Sequence, residues 1–201
     1  MKVLLINGSP RKEGNTYLAL AEVAKTLNAE GIETEIISIG PKAVQGCIAC
    51  GMCGREGRCT FRDELYNRVM SAIKGGIDGL VVGSPVYYGG PNGSLCALLD
   101  RVFYSLGRQL EYKPAASVVV CRRGGASAAF DRLNKYFTML NMPVVSSQYW
   151  NIVYGQTPGQ AAHDEEGMQT MRTLGRNMAW MIAQLKGQPE REQRVWTNFI
   201  R

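Results

Sequence analysis

Apolar runs and helix-period segments alternate along this chain. Val3-Leu4-Leu5-Ile6 contains no polar residue, the signature of a strand buried on both faces. Similar runs predict five strands, over residues 2–7, 34–38, 79–84, 117–121 and 144–149. Between them apolar residues recur at three- and four-residue spacing, as in Tyr17, Leu20, Ala21, Ala24 and Leu27. The clearest stripe is Leu95, Leu98, Leu99, Val102 and Phe103. Helices are predicted over 16–30, 62–74, 91–104, 127–140 and 164–185. Strands alternating with helices imply an α/β three-layer sandwich, a parallel sheet covered on both faces. A strand order of 2-1-3-4-5 would place ligands at the C-terminal ends of strands 1, 3 and 4, beside the switch point. The 201 residues suit a single domain over 1–201, and no repeat, low-complexity tract or linker divides them.

The loop after the first strand, Asn7-Gly8-Ser9-Pro10-Arg11-Lys12-Glu13-Gly14-Asn15-Thr16, joins a buried strand to a helix N-terminus. Unpaired first-turn N–H groups and the helix dipole make such a junction an anion site. Ser9 and Thr16 add hydroxyl donors, Asn15 an amide donor and helix cap, and Arg11 or Lys12 a positive charge. A well-capped turn without a ligand is the plainer reading, and the density of donors and cations argues against it. Gly-Asn-Thr stands where a Walker loop needs Gly-Lys-Ser/Thr, and the dinucleotide spacing of glycines is missing. What remains is a single phosphate monoester of the kind that ends FMN.

Two further loops fall on the same predicted edge. Gly83-Ser84-Pro85-Val86-Tyr87-Tyr88-Gly89-Gly90 offers two flat aromatic faces, with glycines that let backbone N–H groups approach a planar ligand. Its alternative is a turn whose tyrosines pack on the next helix. Cys121-Arg122-Arg123-Gly124-Gly125 is a second glycine-opened loop, weak alone. The convergence of all three loops carries the argument.

Composition narrows the classes. Hydrophobic residues make up 45% and charged residues 20%, as in an ordinary globular enzyme. No run reaches the ~20 apolar residues of a membrane span, and the start lacks a signal peptide's apolar region, so no membrane partner and a cytoplasmic location are expected. The net charge of +6 is spread along the chain, without a basic helix or aromatic–basic repeat, which argues against nucleic acid.

Six cysteines change the picture, because four follow Cys47-x2-Cys50-x2-Cys53-x5-Cys59 within a Cys-rich loop at 46–60. In a cytoplasmic chain such a cluster points to metal or redox chemistry before disulfides. Two-residue gaps let one loop wrap a cubane, and the fourth thiolate completes the ligands of a [4Fe–4S] cluster. Zinc, which favours paired hooks with a longer gap, is an alternative, as is a loop of reduced thiols. Cys96 and Cys121 lie on a predicted core helix and strand and are expected to be buried.

With these residues the chain resembles the flavodoxin-like NAD(P)H-dependent FMN reductases, and more narrowly the iron–sulfur flavoproteins among them. The resemblance rests on Asn7-Gly8-Ser9-Pro10-Arg11 with Gly14-Asn15-Thr16, on Ser84-Pro85-Val86-Tyr87-Tyr88-Gly89, on Leu99-Asp100-Arg101 and on the cysteine segment. The tail from Asp164-Glu165-Glu166-Gly167 to Leu174-Gly175-Arg176-Asn177-Met178-Ala179 is similar too. It implies a flavodoxin-like fold and one non-covalent FMN. The phosphate would rest on Ser9, Arg11, Asn15 and Thr16, and the ring against Pro85, Val86, Tyr87, Tyr88 and Gly89 with Gly124 and Gly125. It also implies NAD(P)H as donor, a homodimer or homotetramer, and Cys47, Cys50, Cys53 and Cys59 as possible cluster ligands.

A flavin reductase needs no protein acid, base or nucleophile, so no catalytic residue is named, and the single histidine, His163, reads as a surface or capping residue. The expected activity passes electrons from a nicotinamide to a quinone, flavin or similar small-molecule acceptor. The competing class is an electron carrier with ferredoxin as partner. A phosphatase of similar topology would need Cys-x5-Arg, and no cysteine here has arginine six positions on.

Overall fold

Four of the five predicted strands form where the apolar runs lie. The computed structural model describes residues 1–185, 187–193 and 195. Its strands are β1 (Lys2–Asn7), β2 (Glu33–Ser38), β3 (Gly79–Tyr87), β4 (Gly90–Pro91), β5 (Ala115–Cys121) and β6 (Ile152–Tyr154). The helices are α1 (Asn15–Ala29), α2 (Met52–Glu56), α3 (Glu64–Lys74), α4 (Gly93–Leu110), α5 (Ala126–Thr138) and α6 (Glu165–Gln184), with a 3-10 turn at Gln160–His163. The sheet order is β2-β1-β3-β5-β6, all parallel, with β4 hung antiparallel on β3. Setting aside that small hairpin strand, the order is the expected 2-1-3-4-5.

Alternate residues of the sheet serve two cores. Val3 and Leu5 pack with Leu20, Val23 and Leu27 of α1 and Met171, Leu174 and Met178 of α6. Leu4 and Ile6 point the other way, into a core with Tyr66 of α3, Leu98 and Val102 of α4, and Leu133 and Phe137 of α5. All of these side chains are buried, and each such aliphatic residue contributes roughly 1.5–3 kcal/mol by leaving water.

Caps place the helices within a turn of their predicted starts. Asp63, Asn92 and Asp164 accept from the N–H groups of Tyr66, Leu95 and Gly167 at 3.0, 3.1 and 2.9 Å. Each such cap is worth about 1 kcal/mol. The third predicted helix therefore starts after Asn92, not at Pro91, because Pro91 belongs to β4.

The fifth strand is a correction. Residues 144–149 join the sheet only by the single bridge of Val144 to Ala115, closed by the Val145 N–H on Ala115 O at 2.8 Å, and the chain then leaves it. Ser147 donates to Tyr149 O and to Asn151 Oδ1, and Asn151 Nδ2 donates to Ser117 O at 3.0 Å. These polar side chains satisfy a loop, and pairing resumes only at Ile152, opposite Val119. Among the described residues no helix is long and apolar enough to cross a membrane.

Candidate functional site at the C-terminal edge of the sheet

Asn7, the last residue of β1 and fully buried, organises the first loop. Its Oδ1 accepts the Ser9 N–H at 3.1 Å, and its Nδ2 donates to Ser38 Oγ at the end of β2 and to Lys12 O. Ser9 Oγ in turn accepts the Arg11 N–H at 3.1 Å, and the Gly8 N–H is taken by Gly83 O of β3 at 2.8 Å. The loop is thus held to both neighbouring strands before any ligand arrives. Its end is the start of α1, whose first turn carries no acid. Among the described residues no hydrogen bond uses the Thr16 hydroxyl, although Thr16 is only 2% exposed. Arg11 and Lys12 lie exposed beside it.

Asn15 departs from its expected role as cap. Gly14 occupies the N-cap without a side-chain bond. The Asn15 amide instead donates to Thr157 O at 2.9 Å and accepts the Ala161 N–H at 3.2 Å. It braces a fourth loop, 155–160, that sequence reasoning missed. The displaced fifth strand hid it: with β6 placed eight residues later, the Pro158-Gly159 turn falls on the ligand edge. That turn signal was legible alone.

The aromatic loop is a two-residue hairpin. Val86 pairs with Pro91 and Tyr87 with Gly90, leaving Tyr88 and Gly89 at the turn with φ of 49° and 78°. Positive φ at both centres is the type I′ arrangement, which favours Asn-Gly. A tyrosine there costs on the order of 1–3 kcal/mol, and Tyr88 stands fully exposed. The hairpin's return is fixed by buried Ser84, whose Oγ accepts the Asn92 N–H at 2.9 Å. Gly125, N-cap of α5 with φ 84°, sits against this turn. A Cβ added there would lie 2.8 Å from Gly89 Cα and 3.1 Å from Val86 Cγ1. The segments around Gly89 and Gly125 are thereby brought together, with Gly124 exposed beside them. Gly125→Ala is expected to destabilise the fold by about 1–3 kcal/mol and to push the hairpin outward. Thermal melting, with the hairpin's susceptibility to proteolysis, measures both.

The cysteine segment follows β2 and packs on α4. Cys47, Cys50, Cys53 and Cys59 line one cavity of about 130 Å³ together with Phe61, Arg101 and Tyr104. Cys47 and Cys50 are exposed, Cys53 and Cys59 partly so. Gly51 and Gly57, in left-handed conformations, bracket the short helix α2 that carries Cys53. Among the described residues no three Cys, His, Asp or Glu side chains stand as a ready metal site. In kind, the donor set is that of an iron–sulfur cluster: four thiols lining one cavity. Cys121 is buried and Cys96 partly buried, short of full burial. Burial pushes both thiols upward from their ordinary pKa, so they stay protonated at neutral pH.

In the sequence Arg101 stands out only as part of the motif Leu99-Asp100-Arg101, yet its side chain is fully buried beneath the cysteine loop. Its guanidinium donates to Phe61 O at 2.9 Å, to Gln45 O at 3.2 Å, to Cys59 Sγ at 3.4 Å and to Asp63 Oδ2 at 2.5 Å. Burial works to raise the Asp63 pKa, but the Tyr66 N–H and the guanidinium hold it below the usual carboxylate range. Nothing in the spacing of apolar residues marks Arg101, except that it is a charged residue beside the α4 core stripe. His163 lies exposed at the end of the 3-10 turn.

Residues 1–157 match the family model for NADPH-dependent FMN reductase. An iron–sulfur flavoprotein of Methanocaldococcus jannaschii is 37% identical over 92% of this chain and 100% of its own length. Another, from Methanosarcina thermophila, is 29% identical over 89% of this chain and 93% of its own. Among solved structures, a flavoenzyme NAD(P)H:(acceptor) oxidoreductase from Paracoccus denitrificans superposes with a TM-score of 0.65. It shares 18% identity over 90% of this chain and 97% of that one.

Proposed function

The chain belongs to the NADPH-dependent FMN reductase family, in its iron–sulfur flavoprotein branch, and from that premise we propose that it passes electrons from NAD(P)H through one non-covalent FMN to a quinone, flavin or similar small acceptor. When bound, FMN supplies the redox chemistry, taking a hydride from a nicotinamide and giving up electrons singly or in pairs.

The first turn of α1 carries this reading most directly. Its N–H groups, an idle Thr16 hydroxyl and the absence of an acid in that turn suit a phosphate, which Ser9, Arg11 and Asn15 would flank. Pro85, Val86, Tyr87, Tyr88 and Gly89, with Gly124 and Gly125, would bound the ring. They would exclude water from one of its faces and leave the other open to the donor. Cys47, Cys50, Cys53 and Cys59 would hold a [4Fe–4S] cluster, which supplies one-electron exchange. Homodimer or homotetramer assembly belongs to the same proposal, on the pattern the resemblance implies.

The second reading, an electron carrier served by ferredoxin, is favoured by one observation: the four-cysteine cavity opens at the surface, with Cys47 and Cys50 exposed. Anaerobic stopped-flow mixing separates the two. Rapid flavin bleaching by NADPH or NADH alone is the result expected here. Flavin that stays oxidised with both nicotinamides but is reduced by ferredoxin moves the protein to the carrier class.

A further inference from the structure

A buried arginine anchors both ends of the cysteine loop to the body of the protein. Arg101 comes from the middle of α4 and is 1% exposed. It reaches a carbonyl before the loop's first cysteine, Gln45 O, and one after its last, Phe61 O, so both ends of the loop hang on the same guanidinium. Those two bonds would be enough for a structural strap. The remaining contacts are more specific. Nε–H donates to Cys59 Sγ, while the Tyr66 hydroxyl accepts the Cys59 backbone N–H at 2.8 Å and meets Ser105 Oγ of α4 at 2.7 Å. The Tyr66 ring also lies 4.8 Å beneath the guanidinium carbon. Cys59 is therefore fixed at both backbone and sulfur from α3 and α4, whereas exposed Cys47 accepts only the neighbouring Ala49 N–H at its sulfur.

The Arg101–Asp63 ion pair beside Cys59 is unevenly buried. The guanidinium is buried, whereas its counter-ion Asp63 is 42% exposed at the side chain and shares its charge with the N-terminus of α3. Water screens the carboxylate more than the guanidinium, so the balance at the sulfur is positive.

We infer that Arg101 is the positioning residue of the proposed cluster: through its Nε–H bond to Cys59 Sγ and its buried charge it raises the cluster's reduction potential. This rests on the cluster reading above. Reduction adds one electron and therefore one negative charge; no bond breaks, and the guanidinium keeps its proton. A hydrogen-bond donor and a fixed cation at a ligating sulfur stabilise the more negative state. Asp63 acts in the opposite sense, by partly cancelling the cation. A strap with only structural duties would leave the potential where it is.

The test uses full-length protein prepared without oxygen, as wild type, Arg101→Gln and Asp63→Asn. Iron is counted, flavin content checks folding, and each cluster is titrated with dithionite under electron paramagnetic resonance. Asn caps a helix as well as Asp, so Asp63→Asn spares α3. The expected result is a pair of opposite shifts. Arg101→Gln lowers the one-electron equilibrium constant at least tenfold, which is about 59 mV, and Asp63→Asn raises the potential. Unchanged potentials, or shifts of the same sign, overturn the inference while leaving the cluster in place. If Arg101→Gln does not fold or load, Asp63→Asn decides alone: an upward shift supports the inference and no shift overturns it. Wild type without iron overturns the inference and the cluster reading together, and its flavin content then shows whether the FMN reading survives.

Discussion

Replacing Thr16 with alanine should weaken FMN binding roughly ten- to a hundredfold, the equivalent of about 1.5–3 kcal/mol for a hydrogen bond to a charged phosphate. Thr16 is buried in the first turn of α1, and none of the hydrogen bonds among the described residues uses its hydroxyl. Removing the hydroxyl therefore costs the folded, flavin-free protein little. Alanine is also the better helix former, which offsets the lost methyl. Asn15→Ala should behave differently. The Asn15 side chain holds Thr157 O and the Ala161 N–H, so its loss should lower thermal stability along with affinity. Titration of flavin-free protein with FMN, followed by quenching of flavin fluorescence, gives the affinities, and melting of the same samples separates the two cases. Full affinity in Thr16→Ala would remove the phosphate from this loop.

Cys50→Ser should take the protein from about four irons per chain to almost none, with FMN retained. Cys50 sits in the middle of the loop, exposed on the wall of the four-cysteine cavity. A serine hydroxyl is a far poorer ligand than a thiolate, and three remaining cysteines cannot close the set. The flavin should survive, since the phosphate loop is tied to Ser38 and Gly83 and not to the cysteines. Iron and sulfide analysis after anaerobic preparation, beside the flavin absorbance, measures both. Iron that stays in Cys50→Ser would mean other ligands. No iron in the wild type would leave a flavin reductase with a loop of free thiols.

The fold was legible because alternate burial leaves a strong mark. Val3 to Ile6 had to be buried on both sides, and each side found its own helices. The run at 144–149 carried a similar mark through Val144, Val145 and Tyr149, and it misled. Ser147 and Asn151 bond within the loop and to the sheet edge, a tertiary choice that periodicity does not record. That one displacement concealed the loop at 155–160 and with it the second duty of Asn15. The hairpin at Tyr88-Gly89 was visible as glycine-rich sequence. Its turn type was not, because tyrosine is an unusual occupant of positive φ. Arg101 was the least legible of all, since a buried cation is explained only by partners forty and fifty-six residues away.

The absorption spectrum of protein purified without oxygen tests the central claim most directly, because flavin and cluster report in one trace. The account predicts the two flavin bands, riding on a broad iron–sulfur absorbance, with the flavin bands bleached on adding NADPH. A colourless protein that cannot be reconstituted with FMN would contradict it.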